Sequence, residues 1–133
     1  MSTRFVVLAA PRTGSNWLCT LLDSHPRVVC HREIFHPDGI HAAASLAGAA
    51  LELGGLVEQR DRDPAGLLAR VWAADGGRDA VGFKLNREST PGGFAAVLDD
   101  PGVRKIVLRR DNRVRTCVSE LVARQTGAWE SLP

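Results

Sequence analysis

Residues 4 to 24 read RFVVLAAPRTGSNWLCTLLDS, and the interpretation of this stretch decides the fold. Phe5 to Leu8 is a short apolar run rich in β-branched residues, which predicts a buried strand. Ala10 to Ser15 form a tight loop, in which Pro11 fixes φ and Gly14 is free to take φ > 0. A helix is expected from about Ser15 or Asn16, with Trp17, Leu18, Leu21 and Leu22 on one face. A loop that runs from a buried strand into a helix N-terminus aims several backbone N–H groups at one point, where the helix dipole adds positive potential. Such a nest binds phosphate or sulfate, and Arg12 adds a cation.

The Walker A loop is the natural comparison, and this stretch departs from it in a telling way. The first glycine is replaced by Ala9, the lysine by Ser15 and the Mg²⁺-binding hydroxyl by Asn16. The geometry of a phosphate loop is kept while its lysine and metal ligand are not. That argues against a site whose chemistry leans on Mg²⁺, and for an anion that needs no metal.

The stretch APRTGSNWL resembles the 5′-phosphosulfate loop of sulfotransferases that use 3′-phosphoadenosine 5′-phosphosulfate (PAPS), most closely the bacterial branch. The resemblance implies that Arg12, Thr13, Gly14, Ser15, Asn16 and Trp17 hold the donor. A second segment, VLRRDNRVRTCVSELVA, resembles the family's 3′-phosphate motif, an Arg at a strand end and a Ser inside the next helix. The usual spacing is Arg to Ser plus eight, but Arg110 lies nine residues before Ser119 and Arg109 ten. Arg110 is the preferred ligand with Ser119, and Arg109 stays open as its competitor. The physical requirement is a guanidinium and a hydroxyl converging on a dianionic phosphate.

Two further residues are singled out for catalysis. Glu33 follows the second strand candidate, Arg27 to Cys30, at the position where the family carries its catalytic base; read on its own it could equally be a surface carboxylate paired with Arg32 or Arg27. Lys84 stands near the end of a strand expected over Ala80 to Leu85, on the ligand edge of an open α/β sheet. The GFK it belongs to recurs in sulfotransferase-like sequences, which implies a place beside the sulfuryl group or leaving phosphate. The alternative is a snorkelling lysine.

The rest of the chain supports one α/β domain over residues 1–133. A helix is expected within 40–54, stopped by Gly54-Gly55. Asp63-Pro64 and Thr90-Pro91 each start a helix. The first of these carries Leu67, Leu68, Val71 and Trp72 inward and ends near Gly76-Gly77. Arg104 to Leu108 is the last strand, and Asp111 or Asn112 caps a helix whose stripe is Val114, Cys117, Val118, Leu121 and Val122. Strands alternating with helices, without hairpin dipeptides, imply a parallel sheet in three layers of the P-loop nucleotide-binding type. Family members continue past this point, so the domain is expected to be incomplete at its C-terminus.

Composition limits the function classes. A 44% hydrophobic share suits a packed core, and a net charge of +2 does not point to nucleic acid. The basic residues crowd between Arg104 and Arg115, which suggests an anionic ligand, with a solvated helix face as the alternative for Arg113 and Arg115. Cys19, Cys30 and Cys117 lack metal spacing and read as reduced packing residues of a cytoplasmic protein. His31, His36 and His41 read as loop histidines, and no metal is expected. No stretch is long enough to span a bilayer. The resemblance implies sulfuryl transfer to a hydroxyl or amine acceptor, a small molecule, glycan or lipid, and leaves an oligomer open. A non-catalytic nucleotide-binding remnant and a P-loop phosphotransferase are the alternatives.

Overall fold

A computed structural model describes residues 1–46 and 56–129. Four strands, β1 (Thr3–Ala9), β2 (Val28–Cys30), β3 (Ala80–Leu85) and β4 (Val103–Leu108), form one sheet in the order β2-β3-β1-β4. Every pairing is parallel, with Val7 opposite Lys84 on one side and Ile106 on the other. The helices are α1 (Ser15–Ser24), α2 (Val57–Arg62), α3 (Pro64–Ala73), α4 (Pro91–Leu98) and α5 (Arg113–Thr126).

Strand alternation sorts the core into two clusters, one on each face of the sheet. Phe5, Val7 and Ala9 of β1 pack with Cys19 and Leu22 of α1, and with Cys30. Val6 of β1 and Val81, Phe83 and Leu85 of β3 pack on the opposite face with Leu67, Leu68 and Val71 of α3 and Val97 of α4. This is a helix–sheet–helix sandwich, compatible with a P-loop-like three-layer fold. Gly82 is required by the first cluster: a Cβ there would meet the Phe5 ring at 2.3 Å.

The helix starts foreseen at Asp63-Pro64 and Thr90-Pro91 are present, and Asp63 Oδ1 accepts from Gly66 N–H at 2.9 Å. Asn112, rather than Asp111, caps α5 by accepting from Arg115 N–H at 3.0 Å. α3 ends at Ala73, and Gly76 and Gly77 follow with positive φ in a turn.

One expectation falls outside the described residues and others are corrected. The helix expected within 40–54 falls largely on residues 47–54, which lie outside the described residues; the part seen holds only a 3₁₀ turn at Ala44–Leu46. On α1 the inward positions are Ser15, Leu18, Cys19 and Leu22, so Trp17 and Leu21 project from the opposite side and are exposed. On α5 the expected apolar stripe faces outward. Thr116, Ser119, Glu120 and Ala123 turn inward instead, because Arg12 and Arg87 anchor Ser119 and Glu120. Cys117 is consequently exposed, whereas Cys19 and Cys30 are buried side by side. Hydrogen bonding from Cys30 holds the Cys19 thiol low, and Cys19 together with burial pushes Cys30 up. All three thiols are free. Among the described residues, no helix is long and apolar enough to cross a membrane.

Candidate functional site

All four strands end on the same edge, at Ala9, Cys30, Leu85 and Leu108. The connection from β1 goes towards β2, and the connection from β3 goes towards β4, on the other side of β1. The chain therefore diverges between β1 and β3, and open α/β sheets bind ligands in the crevice at such a point. Every residue singled out for chemistry lies on this edge or on the helix behind it.

The loop between β1 and α1 has the conformation the nest requires. Gly14 is the N-cap of α1 with φ 83° and makes no side-chain cap hydrogen bond, and the helix N-terminus follows directly from the loop. Arg12 also lies in the left-handed region, with φ 62°. A non-glycine residue in that region marks a constrained backbone. The Thr13 hydroxyl donates to Ala10 C=O at 2.7 Å and closes the loop on itself.

Lys84 enters the crevice from β3. Alternation turns it to the α1 side of the sheet, and its side chain is almost wholly buried. Its Nζ donates to Ser15 Oγ at 3.3 Å and to Asn16 Oδ1, and lies 3.7 Å from Glu33 Oε2. Burial pushes the Lys84 ammonium below the usual lysine range, and Glu33 pulls it back up. Glu33 also accepts from Asn86 Nδ2 on the loop after β3. The carboxylate is thus held by Lys84 and Asn86, while Arg27 pairs with Asp79. Asn86 is a neighbour of the candidate site that sequence reading did not find, although its place one residue beyond a strand end was a usable signal.

The segment carrying Arg109, Arg110 and Ser119 converges on the same loop. Arg12 Nε donates to Ser119 Oγ at 2.8 Å, and Arg110 Nη1 donates to Arg12 C=O at 3.2 Å. Arg12 Nη1 also donates to Trp129 C=O. The Arg12 guanidinium therefore reaches α5 instead of lying across the loop. Arg109 faces Asp111 at 3.9 Å and is largely exposed. Of the two arginines, Arg110 is the one that bonds to the loop among the described residues. Trp17, expected at the donor site, is 72% exposed on the outer side of α1.

The histidines divide. His31 lies in the loop just after β2, as expected, but is fully buried; its Nδ1 accepts from Ala43 N–H at 2.9 Å, and burial lowers it to about 4. His36 and His41 meet edge-to-face at 5.1 Å in the loop after Glu33. Among the described residues no group of three or more His, Cys, Asp or Glu is arranged to hold a metal ion.

Fold and crevice together define an α/β protein with a strand–loop–helix turn at the switch point of a parallel sheet. Nodulation protein H of Rhizobium meliloti (strain 1021) is similar to this chain, with 29% identity over 139 residues, covering 94% of the chain and 49% of that protein. The chain spans about half the length of this curated relative. No protein-family model and no solved structure matches the chain.

Proposed function

We propose that the chain is the donor-binding part of a PAPS-dependent sulfotransferase. The observation that carries this reading is the convergence of three distant segments on one crevice: the loop at 10–16, the Glu33–Lys84 pair, and Arg110 with Ser119. The similarity to Nodulation protein H supports a sulfotransferase relationship.

The donor supplies an activated sulfuryl group. The uncapped N-terminus of α1 suits its 5′ anion, and Arg110 and Ser119 suit a 3′-phosphate. Glu33 takes the proton of an acceptor hydroxyl or amine as the acceptor–sulfur bond forms and the bond to the phosphate oxygen breaks. Lys84, a buried cation 3.3 Å from the first hydroxyl of α1, stabilises the charge that develops on the departing oxygen. Asn16 occupies the place of the Walker metal ligand, so binding is expected to be independent of Mg²⁺.

Titration calorimetry with PAP, the desulfated product, with and without Mg²⁺, tests this. Binding of PAP in the absence of metal supports it. Binding of Mg²⁺-ATP with no response to PAP would instead make the protein a phosphotransferase-type nucleotide binder.

A further inference from the structure

Arg60 is the largest fully buried side chain among the described residues. It lies in α2, whose sequence VEQRDR carries no apolar periodicity. Its Nη1 donates to three backbone carbonyls: Ile34 at 3.1 Å, His36 at 2.6 Å and Gly39 at 2.9 Å. Its Nε donates to Asp61 Oδ1 at 2.9 Å, and its guanidinium lies 5.9 Å over the Phe35 ring. Nη2 is buried with no hydrogen-bond partner among the described residues.

A guanidinium keeps its charge in a protein, and burying it is costly unless its donors are used. Here the three carbonyls that use it belong to one loop, the one that starts at Glu33. The neck of that loop is closed separately. His36 N–H and His41 N–H both donate to Glu33 C=O, at 3.3 and 3.2 Å, and Arg32 N–H donates to His41 C=O at 3.1 Å. Ile34 and Phe35 anchor its first residues in the core. Carbonyls turned inward over such a core need donors, and an aliphatic residue at position 60 would take the Arg60 donor from Ile34 and Gly39 and leave His36 C=O with Gly39 N–H alone, at 3.3 Å. Arg60 thus fills the loop from inside, and among the described residues it bonds to backbone and to Asp61, not to the Glu33 carboxylate.

We infer that Arg60 is a positioning residue: by clamping the loop 34–39 it holds Glu33 against Lys84 and Asn86. The inference rests on the reading of Glu33 as base given above. The clamp itself does not depend on that reading.

The test compares the whole chain with Arg60→Met and Arg60→Lys by three readouts. The first is amide hydrogen exchange at His36, Gly39 and His41, with Val6 of β1 as reference. The second is PAP affinity. The third is the hydrolysis of PAPS to PAP with water as acceptor. In Arg60→Met the loop amides should exchange about tenfold faster or more while Val6 is unchanged, a local rather than global opening. PAP affinity and the KM for PAPS should stay within about threefold, while kcat falls roughly 10- to 100-fold, as expected when a catalytic group is misplaced by about an ångström. Arg60→Lys, which keeps a donor and a charge, should recover part of both losses. Unchanged exchange in the loop, or fast exchange with a wild-type kcat, overturns the assignment. Failure of both variants to fold also overturns it, since the core rather than the loop would then require Arg60. If the wild-type chain neither binds PAP nor hydrolyses PAPS, the sulfotransferase reading is what falls, and loop exchange alone then upholds or overturns the clamp.

Discussion

The Nζ of Lys84 lies 3.3 Å from the Oγ of Ser15, although the two residues are 69 positions apart. Ser15 stands where a Walker loop would carry its lysine. The neighbouring strand therefore supplies the cation that the loop lacks, and the parallel register that sets Val7 beside Lys84 brings it there.

Lys84→Met should test that substitution of parts. The variant keeps the length of the side chain and loses the charge. Turnover of PAPS is expected to fall on the order of a hundredfold, the scale for removing one electrostatic stabiliser of a developing anion. PAP affinity should change less, because helix N–H groups and Arg110 remain. Equal loss of affinity and of turnover would make Lys84 a binding residue alone.

Arg110, Ser119 and Arg109 should separate in their effect on the preference for PAP over AMP, since only PAP carries a 3′-phosphate. Arg110 bonds to the loop and Arg109 faces Asp111. Arg110→Ala should bring the affinity ratio close to one, a loss of roughly 1.5–3 kcal/mol for a charge-assisted contact. Ser119→Ala should lower the ratio less, and Arg109→Ala should leave it alone. A collapse in Arg109→Ala only would move the assignment by one residue.

His31 should make the fold sensitive to acid. Its folded value, about 4, lies below the 6.5 of the free side chain. The unfolded chain therefore binds the proton first, and the contribution is fully present above about pH 6.5. It is lost as the pH falls from 6.5 to 4, to a total of roughly 3 kcal/mol. His31→Gln can still accept the Ala43 N–H but does not titrate. Denaturant unfolding at pH 7.5 and 4.5 should show a smaller acid loss in His31→Gln than in the wild type, and parallel losses would refute the assignment.

The sheet was legible because buried parallel strands read as apolar runs, as Phe5 to Leu8 does. Asp63-Pro64 and Thr90-Pro91 marked helix starts because capping chemistry is local. What could not be read was whatever tertiary contacts decide. The polar run Val57–Arg62 gives no periodic signal, yet it forms α2 because Arg60 satisfies carbonyls some 21 to 26 positions away. Similarly, Val114, Val118, Leu121 and Val122 have the spacing of a buried stripe but are exposed, since polar anchors at Ser119 and Glu120 set the rotation of α5. The candidate site was legible as segments. Which atoms meet across strands, such as Lys84 with Ser15 or Asn86 with Glu33, depends on register and not on local sequence.

Arg12 combines two features that mutation can separate. Its backbone is left-handed, at φ 62°, and its side chain bridges the loop to Ser119 at 2.8 Å. The left-handed region costs an L-residue about 1–2 kcal/mol that glycine does not incur. Arg12→Ala keeps the backbone strain and removes the guanidinium; Arg12→Gly removes both. Arg12→Gly should therefore unfold at higher denaturant than Arg12→Ala, by roughly 1 kcal/mol. Both should weaken PAP equally, by about 1.5–3 kcal/mol, if the guanidinium acts as a charge-assisted donor to the ligand or to Ser119 beside it. Paired measurements of unfolding and of PAP affinity on the two variants decide this. Wild-type PAP affinity in Arg12→Gly with weak binding in Arg12→Ala would show that the loop's conformation, and not the guanidinium, governs binding.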